Sequence, residues 1–286
     1  MSGSPDRPVS YGRRQWLRHV LLASAALTMI YPLLWMFMSS LKPDAAIFSN
    51  PTALPKALDF SNYVRGWSVL RVSFTTFYLN SLIVSVSATV GNLMSCSLTA
   101  YAFARLPFWG RRFWFALMMG TLMLPYHVTL VPQYVLFLNL GWVNSFLPLI
   151  VPKFLAVDAF FIFLMVQFFR GIPREIDEAA IMDGCGPWRI YWKIMLPLST
   201  PVLATAGIFS FIWTYDDFLG PLIYLNDMKS YTVPLALRAF VDSSGGQSHF
   251  GEMFAMSTLS LVPVFVVFLA FQRLIIRGVA LGALKR

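Results

Sequence analysis

Six stretches of this chain are each long and apolar enough to cross a lipid bilayer, and no other property narrows its fold so far. They run approximately 17–39, 78–103, 113–138, 146–169, 199–222 and 254–276. A helix needs roughly 20 apolar residues to cover the hydrocarbon core. Within lipid the backbone polar groups must be satisfied inside the segment, which favours helices. Composition agrees. Only 12% of the 286 residues are charged, about half the share of a soluble domain, and the mean hydropathy is +0.65. The expected fold is an all-α polytopic membrane protein of six transmembrane helices.

Several of the stretches contain Pro or Gly: Pro32, Gly91, Pro125, Pro132, Gly207 and Pro263. In membrane helices such residues mark bends where neighbours re-satisfy the backbone. Ser85, Ser87, Ala88, Gly91 and Ser95 give the second stretch small residues suited to close helix packing. The net charge of +9 comes from short clusters between apolar runs rather than from a stripe, so it reads as a topology signal and not as a nucleic-acid surface. Fifteen of the twenty-two Lys and Arg fall in alternate segments, around Arg18, Arg105, Arg170 and Arg273. The positive-inside rule then places both termini in the cytoplasm. The chain divides into a cytoplasmic tail 1–16, a six-helix membrane domain 17–276 and a cytoplasmic tail 277–286. External loops fall at about 40–77, 139–145 and 223–253. The first and third are long enough to receive a partner or a solute. The third carries glycines that imply a mobile tip.

The Arg pair and apolar run at 12–26 look like an export signal, but the run continues to Met38 and is long enough to span. An uncleaved first helix is expected. Cys96 and Cys185 give no disulfide pattern, and His19, His127 and His249 are too scattered for a metal site. No catalytic or metal-binding constellation is present in the sequence.

One segment is out of character. Four of the thirteen acidic residues, Glu175, Asp177, Glu178 and Asp183, crowd into ten positions of the loop 170–197. Pro173 suits the first turn of a helix. The acids near its start face the positive end of the helix dipole. Gly184 can take the left-handed cap, and Pro187 resists continuation. Ile176, Ala179, Ala180 and Asp183 share a face. A helix resting on the lipid surface is normally basic with large apolar residues. This one is acidic and bears alanine, which favours docking to a protein.

The run at 178–197, EAAIMDGCGPWRIYWKIMLP, resembles the EAA signature of ATP-binding-cassette importer permeases. The matching residues are Glu178, Ala179, Ala180, Asp183, Gly184, Ile194, Leu196 and Pro197. Cys185 stands where a small residue is usual and Tyr191 where Phe is common. Residues 80–112, 230–237 and 271–286 resemble the carbohydrate-importer, MalG-like branch. The resemblance implies a type I importer architecture in a bacterial or archaeal cytoplasmic (inner) membrane. It also implies a second homologous permease, making a heterodimer, and an extracytoplasmic substrate-binding protein. The sequence has no phosphate-binding loop. An ABC ATPase dimer would therefore bind ATP and Mg, with no cofactor on this chain. By the resemblance Glu178 anchors the ATPase, Ala179, Ala180 and Gly184 allow its close approach, and Ile194, Leu196 and Pro197 set how the loop re-enters the fifth span.

The solute path has weaker signals. Asp158 is ionisable inside the fourth stretch and either meets sugar hydroxyls or pairs with Lys153. Trp213, Tyr215, Asp216 and Asp217 lie near the outer end of the fifth, where aromatics either stack on sugar or form an interfacial belt. Asn80 is a further candidate. Three functions are compatible with these residues: a carbohydrate-importer permease, the same machine for another solute (glycerol phosphate, polyol, polyamine or anion), and a self-sufficient secondary transporter or channel.

Overall fold

The computed structural model describes residues 11–49, 58–242 and 249–283. The expected mobile tip at 243–248, both chain ends and the Pro51–Pro55 segment lie outside the described residues. Helix α1 (Tyr11–Ser40) contains Pro32 and none of its most apolar window is buried, so it runs along the outside of the bundle. Two short helices follow, α2 (Asp44–Ser49) and α3 (Ser61–Ser68). They are not slack linker. The Asn62 amide donates to the Ser40 and Lys42 carbonyl oxygens at 2.8 and 2.9 Å.

Helix α4 (Phe74–Arg105) runs 32 residues without a proline. Of its most apolar window 44% is buried, more than in any other single span, and this makes it the axis of the bundle. Its small residues explain why neighbours come so close. Ser85, Ala88, Gly91 and Ser95 are all buried, with Ser87 half-buried. A Cβ at Gly91 would overlap the ring of Phe154. Polar groups on the same helix then bond across the interfaces. Ser95 Oγ donates to the Lys153 carbonyl at 2.7 Å, and the Asn92 amide donates to Ser210 Oγ at 3.0 Å. Each such bond contributes roughly 0.6 kcal/mol in a membrane helix bundle.

Three of the predicted stretches are broken. The stretch 113–138 is not one straight helix: α5 (Arg111–Thr121) and α6 (Tyr126–Asn139) meet at 99°. Pro125 sits at the corner in an extended conformation, without an N–H to continue the ladder. The fourth stretch comprises α7 (Leu147–Ile150), a 3₁₀ turn (Val151–Leu155) and α8 (Ala159–Gly171), with Ala156 at φ +55° in the break. Beyond α8 comes α9 (Glu175–Met182), then α10 (Pro187–Ile190), a π-helical turn (Tyr191–Met195) and α11 (Leu196–Leu198). The segment Pro187–Leu198 meets α12 (Thr200–Tyr215) at 76°. The fifth span therefore ends at Tyr215, short of the expected 222, and α13 (Leu219–Tyr224) is a separate turn. Four helices could cross a membrane unaided, or six if each bent pair counts as one span.

A 3₁₀ turn (Met228–Ser230), α14 (Val233–Asp242) and α15 (Phe250–Ala283) complete the order. Helices α8 and α12 pack on α4, and α15 packs on α12 and α1. The three segments expected outside gather at one end of the bundle. Arg65 Nε meets Glu252 Oε1 at 3.0 Å, Gly251 N–H donates to Asp44 Oδ1 at 2.7 Å, and Asn144 N–H donates to the Tyr224 carbonyl at 2.7 Å.

Replacing Gly91 by Leu must displace Phe154 from α4. The expected outcome is a loss of roughly 1–3 kcal/mol, read as a lower unfolding midpoint in detergent; an unchanged midpoint would show that this contact is slack.

Candidate coupling surface and solute path

The acidic helix forms where the sequence places it. The Arg174 carbonyl accepts from Asp177 N–H at 2.9 Å and Glu178 N–H at 3.0 Å, which opens α9 with its acids in the first turn. At the other end Gly184 adopts φ +75°. Its N–H donates to the Ile181 carbonyl and Cys185 N–H donates to the Ala180 carbonyl, both at 2.9 Å. This pair of bonds is the Schellman arrangement, and a residue with a Cβ would be strained at Gly184.

The exposed side of α9 carries Glu175, Glu178, Ala179, Ile181, Met182 and Asp183. Met182 is 87% exposed and projects as an apolar knob beside the carboxylates. Glu178 forms no salt bridge among the described residues. Ala180 corrects one expectation. It is buried in a cluster with Phe169, Ile190 and Tyr191, so its small size serves α9's own seat rather than an incoming partner. Ile194 and Leu196 pack against the same cluster, and Pro197 lies two residues before the 76° bend.

Two residues around α9 escaped the sequence reading. Arg105 counted there only as a positive-inside charge, and Asp177 only as one more acid. In the fold the Arg105 side chain is 5% exposed, and its Nη1 lies 3.0 Å from Asp177 Oδ2. The available signal was position: Arg105 ends α4 on the face that carries Tyr101 and Ser97, four and eight residues earlier.

The predicted path residues separate into two groups. Lys153 Nζ donates to both carboxylate oxygens of Asp158, at 3.1 and 2.8 Å, at the break in the fourth stretch. The side chains keep 30% and 25% of their exposure. Exposing a charge to hydrocarbon costs roughly 2.5–3.5 kcal/mol, which argues against this surface facing lipid. Beside the pair, Lys153, Trp213, Thr214 and Asp217 line a cavity of about 100 Å³ with Val84, Leu149 and Pro221. Asp217 Oδ1 accepts from Gly220 N–H at 3.2 Å, which holds the carboxylate over the start of α13. Trp213 packs with its ring tilted against Phe160 and Phe161 and is half-exposed.

The others do not join this group. The Asn80 amide donates to the Lys229 and Tyr231 carbonyl oxygens at 2.8 and 2.9 Å, so it fastens a loop. Tyr215 is buried and stacked on Phe211. Asp216 is exposed and does not line the cavity. In each case the residue type suggested a solute contact, whereas the direction of the side chain was decided by what packs around it. Among the described residues no group of three His, Cys, Asp or Glu side chains is placed to hold a metal.

Comparison with known proteins agrees with this geometry. Residues 91–281 match the family described as binding-protein-dependent transport system inner membrane component. The chain is similar to the diacetylchitobiose uptake system permease protein NgcG of Streptomyces coelicolor, at 32% identity over 94% of this chain and 88% of that one. It is also similar to the sn-glycerol-3-phosphate transport system permease protein UgpE of Yersinia pestis, at 31% identity over 91% and 94%. Its fold superposes, with a TM-score of 0.80 and 26% identity over 94% of this chain and 99% of the other, on a chain of a bacterial ABC transporter that imports the acidic polysaccharide alginate. With an all-α fold, several membrane-length helices and a match across two-thirds of its length, the chain belongs to the family of inner-membrane permease components of binding-protein-dependent ABC importers.

Proposed function

We propose that this chain pairs with a second, different permease to carry a neutral carbohydrate, delivered by an external binding protein, and that α9 docks on a cytosolic ATPase dimer. In this reading both termini and α9 lie in the cytoplasm, as the Lys and Arg bias requires. ATP and Mg are held by the ATPase and not by this chain, whose role is to bind and move solute rather than to catalyse. The observation that carries the docking is the projecting face of α9. Glu178, which forms no salt bridge among the described residues, the exposed Ala179 and the Met182 knob offer a charge-assisted anchor beside a small apolar contact. ATP binding draws the docked helices together, and the bundle follows because a ligand shifts an equilibrium by its differential affinity for the two states.

The solute class rests on the cavity beside Trp213. Lys153 there is opposed by two carboxylates, Asp158 and Asp217. When both carboxylates are ionised the local balance is negative, which disfavours a phosphate or carboxylate solute. Carboxylates accept hydrogen bonds from hydroxyls, and the half-exposed indole of Trp213 offers an apolar face to a sugar ring. UgpE's solute, glycerol phosphate, is the second reading, favoured by sequence similarity and opposed by this charge balance. A neutral oligosaccharide of the kind named for NgcG fits better. A self-sufficient secondary transporter does not account for the family match.

Two outcomes are expected. Glu178→Lys should insert normally but fail to retain the ATPase on purification, with uptake reduced roughly 30-fold or more, the scale of reversing an interfacial charge. Wild-type uptake by this variant would remove α9 as the dock. Asp217→Asn should lower carbohydrate uptake into vesicles by about ten-fold, as expected for a lost charged hydrogen bond, with ATPase retention unchanged. If that variant instead leaves carbohydrate uptake intact, the cavity is not on the path.

A further inference from the structure

Helix α4 makes three polar contacts with the coupling segment, beside the ring contact of Tyr101 with Tyr191 and the apolar cluster they share. Its residues Ser97, Tyr101 and Arg105 are spaced four apart, so they form one line along the helix face. Ser97 Oγ and Tyr191 Oη are 2.7 Å apart, joining α4 to the π-helical turn. Tyr101 Oη donates to the Pro187 carbonyl at 3.1 Å, at the start of α10. Arg105 reaches furthest. Its Nη2 donates to the Phe169 and Ile172 carbonyl oxygens, both at 2.7 Å, and its Nη1 pairs with Asp177 Oδ2 at 3.0 Å. One guanidinium thus holds the last turn of α8 and the first turn of α9 together. A buried arginine that lost these partners would be costly, so the contacts resist being opened singly. Arg105 Nε and Asp177 Oδ1 have no partner among the described residues.

The far end of α4 is fastened too. Asn80 bonds the Lys229 and Tyr231 carbonyl oxygens, and Ser81 Oγ accepts from Val233 N–H at 2.7 Å. Midway, Ser95 and Asn92 grip the fourth and fifth spans. Those spans are interrupted at Ala156 and at the 76° bend, whereas α4 is continuous. A continuous helix of 32 residues, about 48 Å long at 1.5 Å per residue, transmits a displacement that a broken span absorbs.

We infer that α4 is the transmission rod of this permease, and that Arg105, Tyr101 and Ser97 are positioning residues that lock the coupling segment to it. The inference rests on the proposal that α9 docks on an ATPase. The covalent route from α9 through α10 and α11 into α12 turns twice, and in this reading it does not suffice alone.

The test uses the complete importer, purified with its ATPase and reconstituted into vesicles with its binding protein. The quantity read is solute transported per ATP hydrolysed, which a purely structural role would leave unchanged because misfolded copies lower both rates together. Arg105→Gln is expected to keep the ATPase bound and hydrolysing while the ratio falls about ten-fold, within the range of coupling between linked sites. Asp177→Asn should lower the ratio, Asp177→Glu should hold it near wild type, and Tyr101→Phe should lower it less. If Arg105→Gln does not accumulate, the Asp177 pair and Tyr101→Phe decide. Wild-type ratios in the variants that accumulate would overturn the inference and leave the covalent route as the coupling path. Failure of the wild-type chain to retain any ATPase would instead sink the docking proposal itself.

Discussion

The close approach of two helices at Gly91 is the contact on which the rest of the bundle depends. Lipid tails are as apolar as leucine, so no hydrophobic force drives membrane helices together. What remains is dispersion at short range and hydrogen bonding between helices. With only hydrogen at Gly91, the Phe154 ring lies directly on α4 and the Lys153 carbonyl comes within 2.7 Å of Ser95 Oγ. The same approach fixes Lys153 where it meets Asp158. The packing of one glycine therefore decides where the Lys153–Asp158 pair of the fourth stretch lies.

The two working regions obey opposite rules at opposite levels of the bundle. Around α9, charge is either displayed without a salt bridge among the described residues, as at Glu178, or buried and paired, as at Arg105. The displayed group is available to another molecule, and the buried one holds the chain's own parts in register. Around Trp213 and Asp217, by contrast, the polar groups are partly paired and line a cavity, which is the condition under which they exchange partners with a passing solute. The proposed function needs both conditions, because solute binding at the cavity would have to be reversible whereas the connection to the ATPase would have to persist through the cycle.

Proline and glycine act at the joints. Pro125 turns α5 into α6, Gly184 stops α9, and the α11 segment with Pro197 leads into the bend before α12. Pro125 breaks a span that composition alone reads as continuous, and the other two shape the loop that leads into the fifth span. Helix α4 lacks proline and remains whole, which is why it can link the loop-bearing end to the α9 end.

The class of fold, the count of apolar stretches, the small face of α4 and both ends of α9 were legible in the residues themselves. Each follows from local rules: hydropathy over about 20 residues, helical periodicity, and the left-handed freedom of Gly184. The EAA run likewise identified the machine before any coordinates did. What the sequence did not determine is direction. Asn80, Tyr215, Asp216 and Asp217 all have the chemistry of a solute contact, yet only Asp217 joins the cavity. Ala180 has the size of a docking residue but packs inward. Arg105 reads as a surface charge and is among the most buried charged side chains. Tertiary structure decided these cases because a helix face is assigned by what packs against it. That depends on the crossing of spans far apart in the chain, where no local pattern records the outcome.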